Sequence, residues 1–294
     1  MREAFISQAS SASNWGSMME YEKLKQALQG ISSKPLEQRR SWYSPAAQAY
    51  HGTRPGYPAE LMEKAVNAAK LSRSSRLLEV GCGPGTATVS LAELGCRMVC
   101  IEPNPDFYEM ATANCKSYPW VEVINRSFEE WDLEPESFDA VVAANSMHWI
   151  PAEIGYAKAS RALKTDGYLI LLWNKEPQPS ESMQAVLSDV YHHEAPSLGR
   201  YEDRSTQQVI LNGFGQMVLD SGRFRNLLTV TVETSLTYTA DRYLSLLTTY
   251  SSYLKLDHST RHALLAGLRH CILEKADGAV QLSYLSAYHI AQKI

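Results

Sequence analysis

Apolar residues follow two alternating patterns through the first 175 positions of this chain. Short apolar runs that end in glycine, proline or polar residues predict strands buried on both faces, at 77–80, 98–101, 121–124, 138–144 and 168–173. Segments with apolar residues three and four positions apart, clearest at 59–71, predict helices between them. This alternation predicts an α/β fold built around a parallel sheet.

The pattern changes after position 175. Two stretches with period-two alternation and many β-branched residues, 227–236 and 280–290, predict an antiparallel pair of strands. Helical patterns occupy 181–193, 207–219, 240–254 and 259–275. Residues 176–205 and 238–277 are therefore expected to form a cap on the sheet domain.

Several segments break these patterns. Glycine and proline interrupt 46–58, which predicts irregular structure, and residues 31–45 read as a connector. Residues 164–167 are expected to turn the chain, and Asp106 is expected to cap a helix that runs to Cys115. Residues 1–17 read as a tag or disordered leader, because Gly16 and Ser17 resemble a cloning scar.

Composition narrows the function classes. With 294 residues and 45% hydrophobic content the chain can bury a large core, and its net charge of −4 gives no general attraction to nucleic acid. The five cysteines form no C-x-x-C pair, no apolar run is long enough to span a bilayer, and no signal-peptide pattern opens the chain. These features predict a cytoplasmic protein with a small-molecule substrate and no nucleic-acid or membrane partner, and they set no oligomeric state.

Candidate chemistry is concentrated at the ends of the predicted strands. Gly81, Cys82, Gly83 and Gly85 form a loop between the first strand and a helix, where backbone can approach a negative or electron-rich ligand group. Glu79 could accept a bond from a ligand ammonium or orient the loop. A dinucleotide loop would require a third glycine where Thr86 stands, which disfavours a nicotinamide oxidoreductase.

Two further strand ends carry polar residues. Glu102 and Pro103 close the second strand about 20 residues after the glycines, where an acidic residue of a nucleotide-binding unit takes ribose hydroxyls. The fourth strand runs into Asn145, His148 and Trp149, and ligands of open α/β sheets bind beyond such carboxyl ends.

The spaced motifs resemble those of class I S-adenosylmethionine-dependent methyltransferases of the small-molecule type. They are Y-x-x-x-R-P-x-Y-P at 50–58, E-x-G-x-G-x-G at 79–85, the histidine and tryptophan at 148 and 149, and L-K-x-x-G at 163–167. The resemblance implies a doubly wound, Rossmann-like, mainly parallel sheet of seven strands with helical cap insertions. It also implies S-adenosylmethionine as the cofactor and methyl transfer to an O, N or C nucleophile.

The resemblance also implies roles for particular residues. Arg54 would bind the methionine carboxylate, and backbone at Ser127 and Phe128 would contact the adenine. Tyr50 and Trp149 are the candidates to flank the sulfonium, although Trp149 could instead pack in the core. His148 would be a general base or orient the substrate, or it could be structural. The cofactor-binding set is Tyr50, Arg54, Glu79, Gly81, Cys82, Gly83, Gly85, Glu102, Pro103, Ser127, Phe128 and Asn145.

The expected organisation is an N-terminal segment, 18–58, that covers the cofactor, followed by a methyltransferase domain at 59–294. Two other functions remain open: a non-catalytic module that binds S-adenosylmethionine, and an enzyme of the same fold that uses it without methyl transfer. A cyclase that forms azetidine-2-carboxylate and 5′-methylthioadenosine is an example of the second. The histidines at 192, 193, 258 and 262 match no recognised ligand pattern, so no metal is expected.

Overall fold

The computed structural model describes residues 15–198 and 201–294. The strands are β1 Arg76–Val80, β2 Arg97–Ile101, β3 Val121–Ile124, β4 Phe138–Ala144, β5 Leu163–Asn174, β6 Gln178–Pro179, β7 Phe224–Thr239 and β8 Ala279–Lys293. The helices are α1 Trp15–Ser32, α2 Leu36–Arg40, α3 Ala47–Thr53, α4 Ala59–Ala68, α5 Thr86–Ala92, α6 Pro105–Asn114, α7 Ala152–Ala162, α8 Glu181–Glu194, α9 Arg204–Asp220, α10 Ala240–Leu247, α11 Ser251–Leu254 and α12 His258–Lys275.

The strands form one mixed sheet. β3, β2, β1, β4 and β5 lie side by side and are parallel, and β8 pairs antiparallel with β5. β7 pairs antiparallel with the other edge of β8. Ser286 of β8 shows this arrangement, since it lies opposite Asn174 of β5 on one side and Val232 of β7 on the other. The predicted doubly wound, mainly parallel sheet is confirmed, and the two-residue β6 adds an eighth strand beside β8.

Alternating strand residues build a core on each face of the sheet. Leu78 and Val141 face a cluster that α1, α7 and α9 cover, whereas Leu77 and Val142 face a cluster covered by α4 and α5. A third cluster joins α8, α10 and α12 to the β7–β8 ribbon and includes the fully buried Leu246. Helices α8, α10 and α12 lie within 176–205 and 238–277, the segments predicted to form the cap. Among the described residues, no helix is long and apolar enough to cross a membrane.

The N-terminal region contains more helix than the sequence predicted. Residues 47–53 form α3, and the helix ends where Pro55 holds Arg54 in an extended conformation. The prediction of irregular structure at 46–58 was therefore wrong for its first half. The predicted leader, 1–17, overlaps the start of α1, and residues 1–14 lie outside the described residues.

Other boundaries also differ from the predictions. α6 is capped by Asn104, whose side chain accepts the Phe107 N–H at 3.0 Å, and not by Asp106, because Pro105 occupies the first helical position. Residues 164–167 form an irregularity within β5, with Asp166 at φ 62°. The helix predicted at 240–254 breaks between α10 and α11, where the Thr249 hydroxyl bonds the Leu246 carbonyl at 2.6 Å.

Candidate active site

A cleft lies beyond the carboxyl ends of β1, β2 and β4, beneath the N-terminal helices α2 and α3. The predicted site residues that line it are Tyr50, Arg54, Gly81, Cys82, Gly83, Glu102, Pro103, Ser127, Phe128, Asn145 and Trp149. Residues that the sequence did not single out as binding residues line it too: Arg39, Tyr43, Tyr57, Asn104, Asn174 and Lys175. These residues meet in one cleft because the carboxyl ends of parallel strands lie at the same edge of the sheet.

Each glycine of the loop after β1 is required for a different structural reason. All three adopt positive φ, at 67°, 57° and 89° for Gly81, Gly83 and Gly85. A Cβ on Gly81 would lie 2.7 Å from the Cβ of Ser146, so this glycine permits close packing between two loops. A Cβ on Gly83 would meet no atom within 4 Å, although the residue lines the cleft. Gly83 is therefore the position where backbone is open to a ligand.

Gly85 does not line the cleft. It caps α5, and a Cβ there would stand 3.5 Å from the Cα of Ala111. Gly85 allows α5 and α6 to pack closely. The spacing of the glycines alone could not show whether this position contacts a helix or a ligand.

Glu102 presents a fixed carboxylate to the cleft. One carboxylate oxygen accepts the Gly83 N–H at 2.8 Å, and the other accepts the Asn104 N–H at 2.8 Å. Burial raises the pKa of Glu102 to about 7, against the effect of these two donors. Each oxygen has a second lone pair, so the carboxylate can still accept hydrogen bonds from a diol in the cleft.

Glu79 lies behind the glycine loop and not on the cleft wall. Its side chain is fully buried and accepts hydrogen bonds from the Thr88 hydroxyl at 2.7 Å and the Cys100 thiol at 3.7 Å. Burial raises the pKa of Glu79 to about 7. Glu79 therefore links α5 to β2 behind the loop, and its Oε1 has no partner among the described residues. That it orients the loop stays a prediction.

Arg54 joins the cleft to the cap. Its Nε donates to the Thr249 hydroxyl at 2.8 Å and its Nη2 to the Thr249 carbonyl at 3.0 Å. The guanidinium also lies 4.4 Å from the Tyr250 ring centre and 5.1 Å from that of Tyr50. Within the described part of the chain, no carboxylate lies within ion-pair distance of Arg54. The buried Glu176 interacts with its charge through space, and Arg54 lowers the pKa of Glu176 against the raising effect of burial.

Aromatic side chains from three segments form a wall of the cleft. The Tyr43 ring centre lies 5.3 Å from that of Tyr50, 5.5 Å from that of Trp149 and 6.1 Å from that of Phe107. Tyr43 was missed because it belongs to a segment without periodicity, and only tertiary contacts bring it to the cleft. Arg39 was missed for the same reason, although its Nη1 bonds both Glu129 at 2.7 Å and the Trp149 carbonyl at 2.6 Å.

The remaining predicted residues shape the ends of β3 and β4. The Ser127 hydroxyl donates to Glu130 at 2.9 Å, and the Phe128 ring is buried against Trp131 with centres 6.4 Å apart. Asn145, at φ 51°, accepts the Asn174 N–H at 3.0 Å and donates to the Asn174 carbonyl at 3.2 Å. This reciprocal pair joins the ends of β4 and β5 beside the cleft.

His148 is not brought to the cleft. Its side chain lines a separate cavity with Trp173 and Phe214, on the other side of the 3₁₀ turn Met147–Trp149. Burial lowers the pKa of His148 to about 4. The prediction that His148 faces the reactive end of the cofactor needs correction, because consecutive residues of a tight turn point in different directions and Trp149 takes the cleft side.

Comparison with known proteins agrees with this architecture. The profile of a methyltransferase domain family matches residues 78–171. An uncharacterized methyltransferase of Mycobacterium tuberculosis is 31% identical over 132 residues, which are 45% of this chain and 51% of that protein. A protein of Saccharomyces cerevisiae named as a probable S-adenosylmethionine-dependent methyltransferase is 27% identical over 187 residues, 60% of this chain and 63% of the relative. The match thus spans about half the length of the first of these relatives.

A solved structure shows the same fold. A protein of Anaeromyxobacter dehalogenans described as a candidate type II methyltransferase superposes with a TM-score of 0.56 at 19% identity, covering 81% of this chain and 97% of that one. The sheet order and the glycine loop agree with these matches. Residues 78–171 match the methyltransferase domain family, and the two relatives described above are named as methyltransferases.

Proposed function

We propose that this protein binds S-adenosylmethionine in the cleft and transfers its methyl group to an O, N or C nucleophile of a small molecule. One observation carries the proposal: Gly83 leaves open space in the cleft directly beside a carboxylate that two backbone N–H groups hold in place. A ribose diol can bond the free lone pairs of Glu102 while the rest of the nucleoside passes Gly83.

The other cleft residues suit the remaining parts of the same ligand. Arg54 would bind the methionine carboxylate with the donor capacity that Thr249 does not use. Backbone at Ser127 and Phe128, with the Pro103 ring, would border the adenine. Glu79, buried between α5 and β2, would act on the ligand only indirectly, through the packing behind the loop.

Positioning and exclusion of water are the main tasks of this site. The bound sulfonium supplies an activated methyl group and its own leaving group. The Tyr50 and Trp149 rings would stabilise the positive charge by about 0.5 to 2 kcal/mol. Helices α2 and α3 line one side of the cleft, which would limit the access of water and help to hold the nucleophile in place.

A small acceptor fits this enclosure better than a macromolecule. Helices α2 and α3 line the cleft on one side, and Asn145, Asn174 and Lys175 also line it. The Lys175 side chain is only 14% exposed and pairs with Glu202 at 3.1 Å. A duplex or a folded protein surface would have to reach these residues past α2 and α3.

The nucleoside product shows which bond of S-adenosylmethionine is broken, the one to the methyl group or the one to the methionine chain. Purified protein is incubated with S-adenosylmethionine, with and without a panel of small carboxylic acids, phenols and amines, and the nucleoside product is identified by mass. We expect S-adenosylhomocysteine that appears only when an acceptor is present. Enzyme-dependent 5′-methylthioadenosine formed without any acceptor would instead show attack at the methionine chain, and absence of any turnover would favour the binding module.

A further inference from the structure

Asn174, the last residue of β5, joins a short segment of the N-terminal region to the sheet. Its Nδ2 donates to the Pro55 carbonyl at 3.2 Å and to the Gly56 carbonyl at 3.1 Å. Its Oδ1 accepts the hydroxyl of Ser286 at 2.7 Å, and Ser286 is fully buried in β8. Because a carbonyl oxygen can only accept, the NH₂ group of the amide has to face the two carbonyls, and all three polar contacts fix its orientation.

The segment that Asn174 holds lies between two residues of the cleft wall. Arg54 precedes the two bonded carbonyls and Tyr57 follows them, and both line the cleft. The backbone of Asn174 is itself fixed, because the Asn145 side chain bonds both its N–H and its carbonyl. Asn174 therefore sets where the backbone of Arg54 stands relative to the strand ends, while Thr249 of the cap holds the guanidinium.

A second asparagine makes the same arrangement on the other side of β1. Asn125, which follows β3, donates from its Nδ2 to the Glu102 carbonyl at 2.8 Å and to the Pro103 carbonyl at 3.3 Å. Glu102 and Pro103 line the cleft, whereas Asn125 is exposed. β3 and β5 are the outermost of the five parallel strands. Each asparagine thus holds a pair of consecutive carbonyls next to, or at, a residue that lines the cleft.

We propose that Asn174 and Asn125 are positioning residues that act on different parts of S-adenosylmethionine. Asn174 acts through Arg54, the partner of the methionine carboxylate, and Asn125 acts through Glu102, the partner of the ribose. Two hydrogen bonds to consecutive carbonyls restrain both the place and the direction of the backbone, so less freedom is lost when the side chain binds its ligand group. This inference rests on the proposed function, but the hold on the backbone can be measured without any ligand.

Calorimetry with two ligands tests the role of Asn174. S-adenosylmethionine carries the carboxylate and the ribose, whereas 5′-methylthioadenosine carries only the ribose. Asn174→Leu keeps the approximate shape of the side chain and removes both donors without adding a charge. We expect about tenfold weaker binding of S-adenosylmethionine and an affinity for 5′-methylthioadenosine within about twofold of the wild type. Equal weakening of both ligands, or no weakening of either, would overturn the role of Asn174.

Asn125→Leu is the matched control, because it removes the same pair of donors on the other side of β1. It should weaken S-adenosylmethionine and 5′-methylthioadenosine by the same factor, since both ligands carry the ribose. We expect a factor of about three, smaller than for Asn174, because water can replace the lost donors at an exposed position. Weakening of S-adenosylmethionine alone, or no effect on either ligand, would overturn the role of Asn125.

A double-mutant cycle separates an effect through Arg54 from a general loosening of the structure. In the Arg54→Ala background the group that Asn174 positions is already absent. Asn174→Leu should then weaken S-adenosylmethionine by less than about twofold, so the two substitutions are not additive. If the tenfold loss persists in that background, Asn174 does not act through Arg54 and its proposed role is wrong.

Hydrogen exchange of the ligand-free protein, measured by mass spectrometry, tests the hold on the backbone. Asn174→Leu should speed exchange in peptides that cover 47–57 and leave 102–107 unchanged, and Asn125→Leu should do the reverse. Exchange that is unchanged in both variants would overturn the proposal. Should Asn174→Leu fail to fold, Asn174→Asp keeps the acceptor for Ser286 and removes both donors, and the same faster exchange at 47–57 is expected.

The two kinds of measurement keep the failures apart. If the wild type binds neither ligand, the proposed function fails and the positioning roles fail with it. The exchange result then still decides whether the two asparagines hold the backbone.

Discussion

At the scale of residues, a substitution at Gly83 can show whether this glycine is needed for ligand binding or only for the fold. Gly83→Val adds a side chain in the open space of the cleft, so binding of S-adenosylmethionine should be lost. Gly222→Val is a matched control, because Gly222 also has positive φ, 64°, and no atom within 4 Å of its Cβ position, but it lies in the turn before β7. Both variants carry a backbone strain of about 1 to 3 kcal/mol.

Calorimetry and thermal unfolding of the two variants check this prediction. We expect similar decreases in melting temperature and a loss of binding in Gly83→Val alone. Retained binding in Gly83→Val would remove the glycine loop from the site.

Arg54 tests the orientation of the ligand. Arg54→Ala should weaken S-adenosylmethionine by about 1.5 to 3 kcal/mol, because a charge-assisted contact with the carboxylate is lost. 5′-Methylthioadenosine lacks the amino-acid group, so its affinity should change little. Thr249→Val, which removes the hydroxyl that bonds Arg54 Nε, shows how much of the effect comes from loosening the cap. Equal weakening of both ligands would contradict the assignment.

At the scale of elements, α2 is held over the cleft by two neighbouring arginines. Arg39 pairs with Glu129 at 2.7 Å and their side chains are 10% and 15% exposed, whereas Arg40 pairs with Glu130 at 2.8 Å with 31% and 53% exposure. A double-mutant cycle to alanine should give a coupling of about 1.5 to 3 kcal/mol for the buried pair. For the exposed pair it should be about 0.2 to 1 kcal/mol.

Urea unfolding of the two cycles measures these couplings, and each pair is the control for the other. Similar values would mean that α2 is not held down by Arg39. In that case the cover of the cleft would depend on the aromatic contacts of Tyr43 and Trp149.

The elements also show where sequence patterns fail. β1 to β5 lie where apolar runs predicted them. β1, β2 and β4 are buried along most of their length, as a strand covered on both faces requires. The prediction of burial on both faces was wrong for β3, which is the edge strand and contains no buried residue. α3 was missed because Gly52 and Pro55 suggested a break, yet Pro55 only ends the helix. The break between α10 and α11 was also missed, although it places the Thr249 carbonyl where Arg54 can donate to it.

At the scale of the whole molecule, two buried carboxyls link the site to stability. Burial raises the pKa of both Glu79 and Glu102 from 4.5 to about 7 in the folded state. Between these values the folded protein holds protons that the unfolded chain has released. The stability that these groups contribute is therefore fully present below about pH 4.5 and is lost as pH rises through 7.

Glu79→Gln should flatten this part of the pH profile, because it removes a titrating group and keeps the shape of the side chain. The free energy of unfolding is measured in urea from pH 4.5 to 8, with Glu93→Gln at an exposed position as the control. If the free energy of unfolding changes with pH in the same way for wild type and Glu79→Gln, the pKa of Glu79 is not raised by folding.

The sequence by itself determined the parallel strands, the glycine loop and the position of Glu102 at a strand end, because these depend on local features: apolar runs and glycine, proline and polar residues that end them. The cofactor was implied by the resemblance of the spaced motifs to a known family. Tertiary structure alone decided which side chains meet. It brought Tyr43 and Arg39 to the cleft, placed Glu79 and Gly85 behind it, and turned His148 away from Trp149 into another cavity. The physical reason is that the direction of a side chain in a loop or tight turn is set by packing against distant elements, and sequence spacing carries no record of that packing.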